Sequence, residues 1–459
     1  MKKYLIVMLA IVAAVLVNLQ ASAACAASSR PAWVEAEIYR FNHSFASQLP
    51  DDLATKMEKM SATPFAFYRG TAHIFYQDMK TLPASNFVNS ATSSAWLQGD
   101  LHPQNMGTFQ DSQGHEVFNT TDFDEGYLGP YVWDLRRMAV GILLLAQEQK
   151  VGLDDRKEVV TQFLDAYLDQ MEDFKGSQEE LSYRLDADNT SSLVQDFIQK
   201  SKKQSRSKFL DKYTTIDQTG ARVFQTSAAL QPVPQQTSAS LAKSMGDYIA
   251  SIAKDKRQNG SYYKLKDIRL KLGSGTGSLG RYRYLLLIEG PSTDKDDDRI
   301  LEMKQEVASA VAIAAPGRFP ASAYDNHEGR RVAMTMKAML THTDALLGYT
   351  MVNGMPFMIR EKSPSAVDFD YTLLTSKSKF LDTATDQGKV LATNHALADK
   401  DYDATIVPVS IDKEVTDLVA GKRSQFKQEI LSFAMDYATQ VENDYKSFVD
   451  AYQRGVPLY

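Results

Sequence analysis

Cysteine is almost absent from this chain: one in 459 residues, Cys25. That excludes an intramolecular disulfide framework and any cysteine-rich zinc module. Tryptophan numbers three and histidine seven, and the histidines are scattered without metal-ligand spacing. Positive charge is not in excess. The 51 Lys and Arg face 57 Asp and Glu, a formal net charge of −6, which argues against a general nucleic-acid binder. Glycine (24) and proline (15) are too few for collagen or a low-complexity chain. Three enzyme signatures are missing: G-x-x-x-x-G-K-[ST], H-E-x-x-H and G-x-S-x-G.

Long apolar runs are also lacking, except from Tyr4 to about Val17. That run is shorter than the roughly 20 residues a membrane span needs. Lys2 and Lys3 precede it and Ala21-Ser-Ala23 follows, so residues 1–23 read as a signal peptide. The expectation is an exported protein, periplasmic or secreted, with no membrane span once the leader is removed. A lipid anchor at Cys25 is the lesser alternative, because Ser22 stands where a lipobox prefers Leu.

What is present is 44% hydrophobic residues in ordinary globular proportions. Apolar Leu135, Met138, Ala139, Ile142, Leu143 and Ala146 recur at helical spacing after Asp134, with a stop at Gly152. A second helix carries Val159 to Met171. Residues 199–245 are polar, with a basic run at Lys200–Lys208, and read as a solvated connection. From 265 to 310 the period switches to 2, indicating antiparallel strands. A helix over 328–347, a strand at Pro356–Arg360 and a long C-terminal helix from about Phe426 to Tyr452 complete the pattern.

Three segments carry chemistry. Asp100 and Asn105, in Gly99-Asp-Leu-His-Pro-Gln-Asn105, have the spacing of a kinase catalytic loop, where Asp takes a hydroxyl proton and Asn holds a metal. Asp122, in Asp122-Phe-Asp-Glu125, can meet Asn105 across a hairpin, and Asp124 can supply a second metal ligand. Carboxylates this dense repel each other unless a cation is near. Gly275, Gly277 and Gly280 satisfy G-x-G-x-x-G, but Arg281–Ile288 after them is a strand, not a helix. Strand, glycine-rich turn, strand fits a phosphate-covering loop better than a dinucleotide fingerprint. Lys304, on the next strand, is the candidate phosphate lysine, with Glu328 a better placed partner than Glu306.

On these residues, with Gly129-Pro-Tyr-Val-Trp-Asp-Leu135, the chain resembles the aminoglycoside phosphotransferase and choline-kinase-like proteins. More closely it resembles the uncharacterised bacterial family catalogued as domain of unknown function twenty-two fifty-two. That pattern adds Phe67-Tyr-Arg-Gly70, Asp78, Ser309, Arg360-Glu361 and Leu391-Ala-Thr-Asn-His395-Ala. The resemblance implies an α+β, protein kinase-like fold of two lobes, the larger one helix-rich. The catalytic loop precedes the glycine-rich hairpin, so the order is circularly permuted relative to ordinary kinases. The chain then divides into the leader, 34–262 (N-terminal segment and helical catalytic lobe), 263–375 (nucleotide-binding sheet) and 376–459 (helices packing on the helical lobe).

The resemblance further implies ATP and Mg²⁺. Asp100 is then the catalytic base and Asn105 and Asp122 are metal ligands, beside Asp124, which the residue pattern itself offers as a second carboxylate ligand. Gly275, Gly277, Ser278 and Gly280 with Lys304 hold the phosphates, and His102 and Asp134 orient the catalytic loop. Gln305 stands where the family usually has Glu after the strand lysine. The expected activity is phosphoryl transfer to an unidentified small-molecule or protein acceptor. The alternative is an exported pseudokinase-like binding protein of the cell envelope, since an exported protein meets little ATP.

Overall fold

The computed structural model describes residues 29–459; the expected leader and Cys25 lie outside the described residues. The fold is mixed α+β. Among the described residues no helix is long and apolar enough to cross a membrane.

Helices make up the larger body. Arg30–His43, Pro50–Met60, Pro64–Gly70 and Ala72–Met79 follow one another; Phe65, Phe67, Tyr68, Phe75 and Tyr76 go inward, while Tyr39 stays exposed. Val132–Glu148 is buried along almost its whole length. It packs against the C-terminal helix Arg423–Gln453, whose Phe426, Ile430, Tyr437, Val441 and Phe448 face the core. Leu153–Phe174 lies along Lys377–Leu397. Gly388 permits that approach: a Cβ there would sit 2.4 Å from the Phe163 carbonyl oxygen.

The second layer is a six-stranded antiparallel sheet. Its order is Gly348–Val352, Met355–Glu361, Arg299–Gln305, Arg283–Ile288, Leu265–Lys271 and Leu230–Pro232. Alternation decides both faces. Tyr284, Leu286 and Ile288 enter one apolar cluster, with Met303, Phe357 and Tyr248. Leu285 and Leu287 point the other way, to Leu210, Phe224 and Ile300.

Three expectations from the sequence change. Residues 199–245 are not a solvated connection. They form the helices Ser192–Lys202, Arg206–Tyr213 and Gln235–Ser251, with short strands between. Sparse apolar residues (Leu210, Phe224, Leu230, Leu241, Met245) do the burying, and abundant Lys, Gln and Ser on the outer faces dilute the signal. The helix expected over 328–347 is Glu328–Met339, and Leu340 is already extended. Thr341 and Thr343 are poor helix formers that follow directly. The helix after Asp134 also stops early, at Glu148, with Lys150 at φ +62° rather than Gly152 making the turn.

Candidate active site

The strand Ala95–Leu97 pairs with Tyr127–Gly129 and delivers the Gln98–Asn105 loop to the junction of body and sheet. Two backbone N–H groups open that loop, Gln98 and Gly99. They donate to the carboxylate of Asp134 at 2.7 and 3.0 Å. Asp134 is fully buried, with His395 Nε2 at 3.4 Å behind it. Gly99 has φ +86°, and a Cβ would meet the Glu125 carbonyl oxygen at 2.2 Å, so only glycine passes there. His102 is buried; its Nδ1 accepts from the Gln104 N–H at 3.1 Å and caps the turn Pro103–Asn105. Burial, then the charges of Arg69 and Arg137, hold its pKa well below the ordinary value. Asn105 Nδ2 closes the loop on the Asp100 carbonyl at 2.9 Å, which leaves its Oδ1 uncommitted.

The strands Met106–Gln110 and Glu116–Thr120 pair with Met106 opposite Thr120. That register sets Asn105 beside Thr121, whose N–H donates to the Asn105 carbonyl at 3.0 Å. Asp122 therefore lies across the hairpin from Asn105. Lys304, buried on the sheet, reaches over and pairs with Asp122 at 3.3 Å and, more closely, with Asp124.

Electrostatics separate the three acids. Burial raises the Asp100 carboxyl to about 7; Arg137 opposes it, and the charges of Glu125 and Asp122 add to it. Asp122 goes the other way. Burial penalises its charge, but Lys304, a contact from Asp124, Arg283 and Arg360 together hold it far below the carboxylate range. Asp124 rises to about 6, from burial first and the neighbouring Asp122 charge second.

The glycine-rich turn joins Leu265–Lys271 to Arg283–Ile288 and folds over these acids. Asp100, His102, Asn105, Asp122 and Asp124 form one side of a cleft. Gly275, Gly277 and Ser278 form its roof, and Arg69, Glu125 and Arg281 complete it. Gly280 lies behind the roof rather than on the cleft, packed on Leu53. The body helix Pro50–Met60 fastens the turn. Lys56 donates to the Gly277 carbonyl and Lys59 to the Gly273 carbonyl, each at 3.0 Å, and Gly273 N–H donates to Asp52 at 3.2 Å. At Gly280, φ is +95° and a Cβ would lie 2.6 Å from Leu53 Cδ2. Gly280→Ala should therefore lower unfolding stability by about 1–3 kcal/mol, read from denaturant midpoints. An unchanged midpoint would mean that Leu53 yields without cost.

Glu328 is not the partner of Lys304: it pairs with Arg331. Glu306 does not take that place either. It is buried with both carboxylate oxygens unpartnered, and burial, then Asp124, push its pKa well above the ordinary value.

Two arginines were not expected from the sequence. Arg137, fully buried, donates through Nε to Asp100 at 2.8 Å and through Nη2 to the Tyr68 carbonyl at 3.1 Å. Arg331, also fully buried, donates to the carbonyls of Asp124 and Val307 at 2.9 Å each, and to Gly126. A signal for Arg137 existed. Asp134, Arg137 and Gly141 recur at i, i+3, i+7 on an otherwise apolar helix. This stripe faces the loop, where a Cβ on Gly141 would touch Pro103 at 2.9 Å.

The fold and cleft define a class: an α+β protein with a constellation of acids under a glycine-rich turn between antiparallel strands. The chain belongs to the bacterial family described as "Uncharacterized protein conserved in bacteria (DUF2252)", whose family model matches residues 48–451. No curated protein matches the chain, and no solved structure does.

Proposed function

We propose that the protein is an ATP- and Mg²⁺-dependent, kinase-like phosphotransferase. One observation carries the reading: Asp100, Asn105, Asp122 and Asp124 share one cleft with Gly275–Ser278 although some 150 residues of chain separate the two groups. Kinase-like, circularly permuted architecture belongs to the same proposal. It is supported by the strand, glycine-rich turn, strand, lysine-strand order in the sheet.

In this reading Asp100 accepts the proton of the acceptor hydroxyl. The acceptor oxygen forms a bond to the γ-phosphorus, the bond to the bridging oxygen breaks, and ADP leaves. A base pKa near the working pH suits that task, and Arg137 fixes the carboxylate in place. Backbone N–H groups of the glycine-rich turn and the Lys304 ammonium hold phosphate oxygens. The donor set fits a hard cation: Asn105 Oδ1 is uncommitted, and Asp124 Oδ1 is buried without a hydrogen-bond partner. Asn105, Asp122 and Asp124 would hold Mg²⁺, which when bound neutralises charge on the phosphates.

Thermal unfolding with Mg-ATP tests the reading. Nucleotide at 100 times Kd should add about 2.7 kcal/mol to stability and raise Tm. Asp122→Ala should lose the magnesium-dependent part of that rise. No rise at millimolar nucleotide would overturn the phosphotransferase and favour a binding protein of the cell envelope without transfer.

A further inference from the structure

Arg69 belongs to the Phe67–Gly70 segment, which the proposed phosphoryl transfer leaves without a role. Most cations around the cleft are committed. Lys304 faces Asp122 and Asp124, Arg137 faces Asp100, and Arg283 faces Glu302 at 3.0 Å. Lys56 donates to Asn42 and to Gly277. Arg281 has Asp124 and Glu125 at 3.8 and 3.9 Å. Arg69 differs: among the described residues it makes no ion pair and no side-chain hydrogen bond, and its Nε is buried without a partner.

Arg69 as a whole is half-buried, with the Phe65 ring 5.8 Å from its guanidinium, and a guanidinium partly withdrawn from water without an anion gains from an oxyanion that matches its fork. Burial in fact depresses the Arg69 pKa, with Tyr371 and Asp100 only partly offsetting it. Position says which anion. Arg69 closes the body helix Pro64–Gly70 and lines the cleft with Asp100 and His102. Lys304, the candidate for the donor's phosphates, comes from the opposite layer, the sheet. The Arg69 backbone carbonyl lies under the tip of the glycine-rich turn, 3.5 Å from where a Cβ of Gly277 would be.

We propose that Arg69 receives an oxyanion of the second substrate, so that the hydroxyl acceptor carries a phosphate or carboxylate group. This rests on the phosphotransferase reading for the words "second substrate"; the oxyanion site itself does not.

The test is calorimetric titration of the full chain with inorganic phosphate and, separately, acetate, each with and without a saturating non-hydrolysable ATP analogue and Mg²⁺. The wild type should bind one of these anions with the analogue present, and the tighter one names the acceptor's group. Arg69→Gln should weaken that binding at least tenfold and change analogue affinity less than twofold. Arg69→Lys, which keeps charge but not the fork, should fall between. Three results overturn the proposal: the analogue displaces the anion from wild type, Arg69→Gln binds the anion as wild type does, or Arg69→Gln loses analogue affinity tenfold. If Arg69→Gln shows no folding transition, the wild-type competition alone decides. Arg69-dependent anion binding in a protein that does not bind the analogue would sink the nucleotide reading and leave the oxyanion site standing.

Discussion

Arg331→Met should lower unfolding stability by about 3–5 kcal/mol, the cost of breaking a buried charge network. Arg331 is fully buried, and its guanidinium serves the carbonyls of Asp124, Gly126 and Val307 and the carboxylate of Glu328 at once. Methionine fills the volume but satisfies none of the carbonyls, and each buried acceptor left open costs about 1–3 kcal/mol. Arg331→Lys should recover only part, since an ammonium has no planar fork. Urea midpoints measure the loss. A decrease below about 1 kcal/mol would show that the carbonyls find other donors. On the proposed nucleotide reading the change should also weaken Mg-nucleotide binding, because the carbonyl of Asp124 is among those Arg331 holds.

The second large effect is kinetic. If the proposed phosphotransferase reading holds, Asp100→Asn should reduce phosphoryl transfer by roughly 10²–10⁴ in kcat, the usual worth of a general base, and leave KM for Mg-ATP nearly unchanged. Asparagine can still accept from Arg137, so the loop geometry survives, but it cannot take a proton. The pH profile gives an independent check. Since burial raises Asp100 to about 7, wild-type activity should climb through that pH as the carboxyl ionises. In Asp100→Asn that inflection should vanish. Wild-type rates in Asp100→Asn, or a wild-type profile flat from pH 6 to 8, would remove Asp100 from the role of base.

Much of the cleft was legible because its parts are local. Asp100 and Asn105 sit in one turn, and Asp122 returns across a hairpin whose register follows from strand alternation. The glycine-rich turn announced itself by the strands on either side. The partners of these groups were less legible, because they come from distant parts of the chain. Lys304 lies 182 residues from Asp122, and Arg331 lies 207 from Asp124. Glu328 looked right for Lys304 by position on a helix, yet Arg331, three residues on, claims it. The polar stretch 199–245 misled for a different reason. A layer that covers a sheet with one apolar residue per turn has the composition of a loop.

The tether between Lys56 and Gly277 also bears on the order of assembly. The two residues stand 221 positions apart. At 5–20 residues per second, the glycine-rich turn leaves the ribosome roughly 10–40 s after the helix that will hold it. Until then Lys56 has no Gly277 carbonyl to meet, and the roof of the cleft does not exist. The acids around Asp122 are made before Lys304 too, so the nascent chain carries their mutual repulsion for part of its synthesis. The roof of the cleft therefore depends on a long-range pairing that no local segment can make alone, and contacts of that kind slow folding.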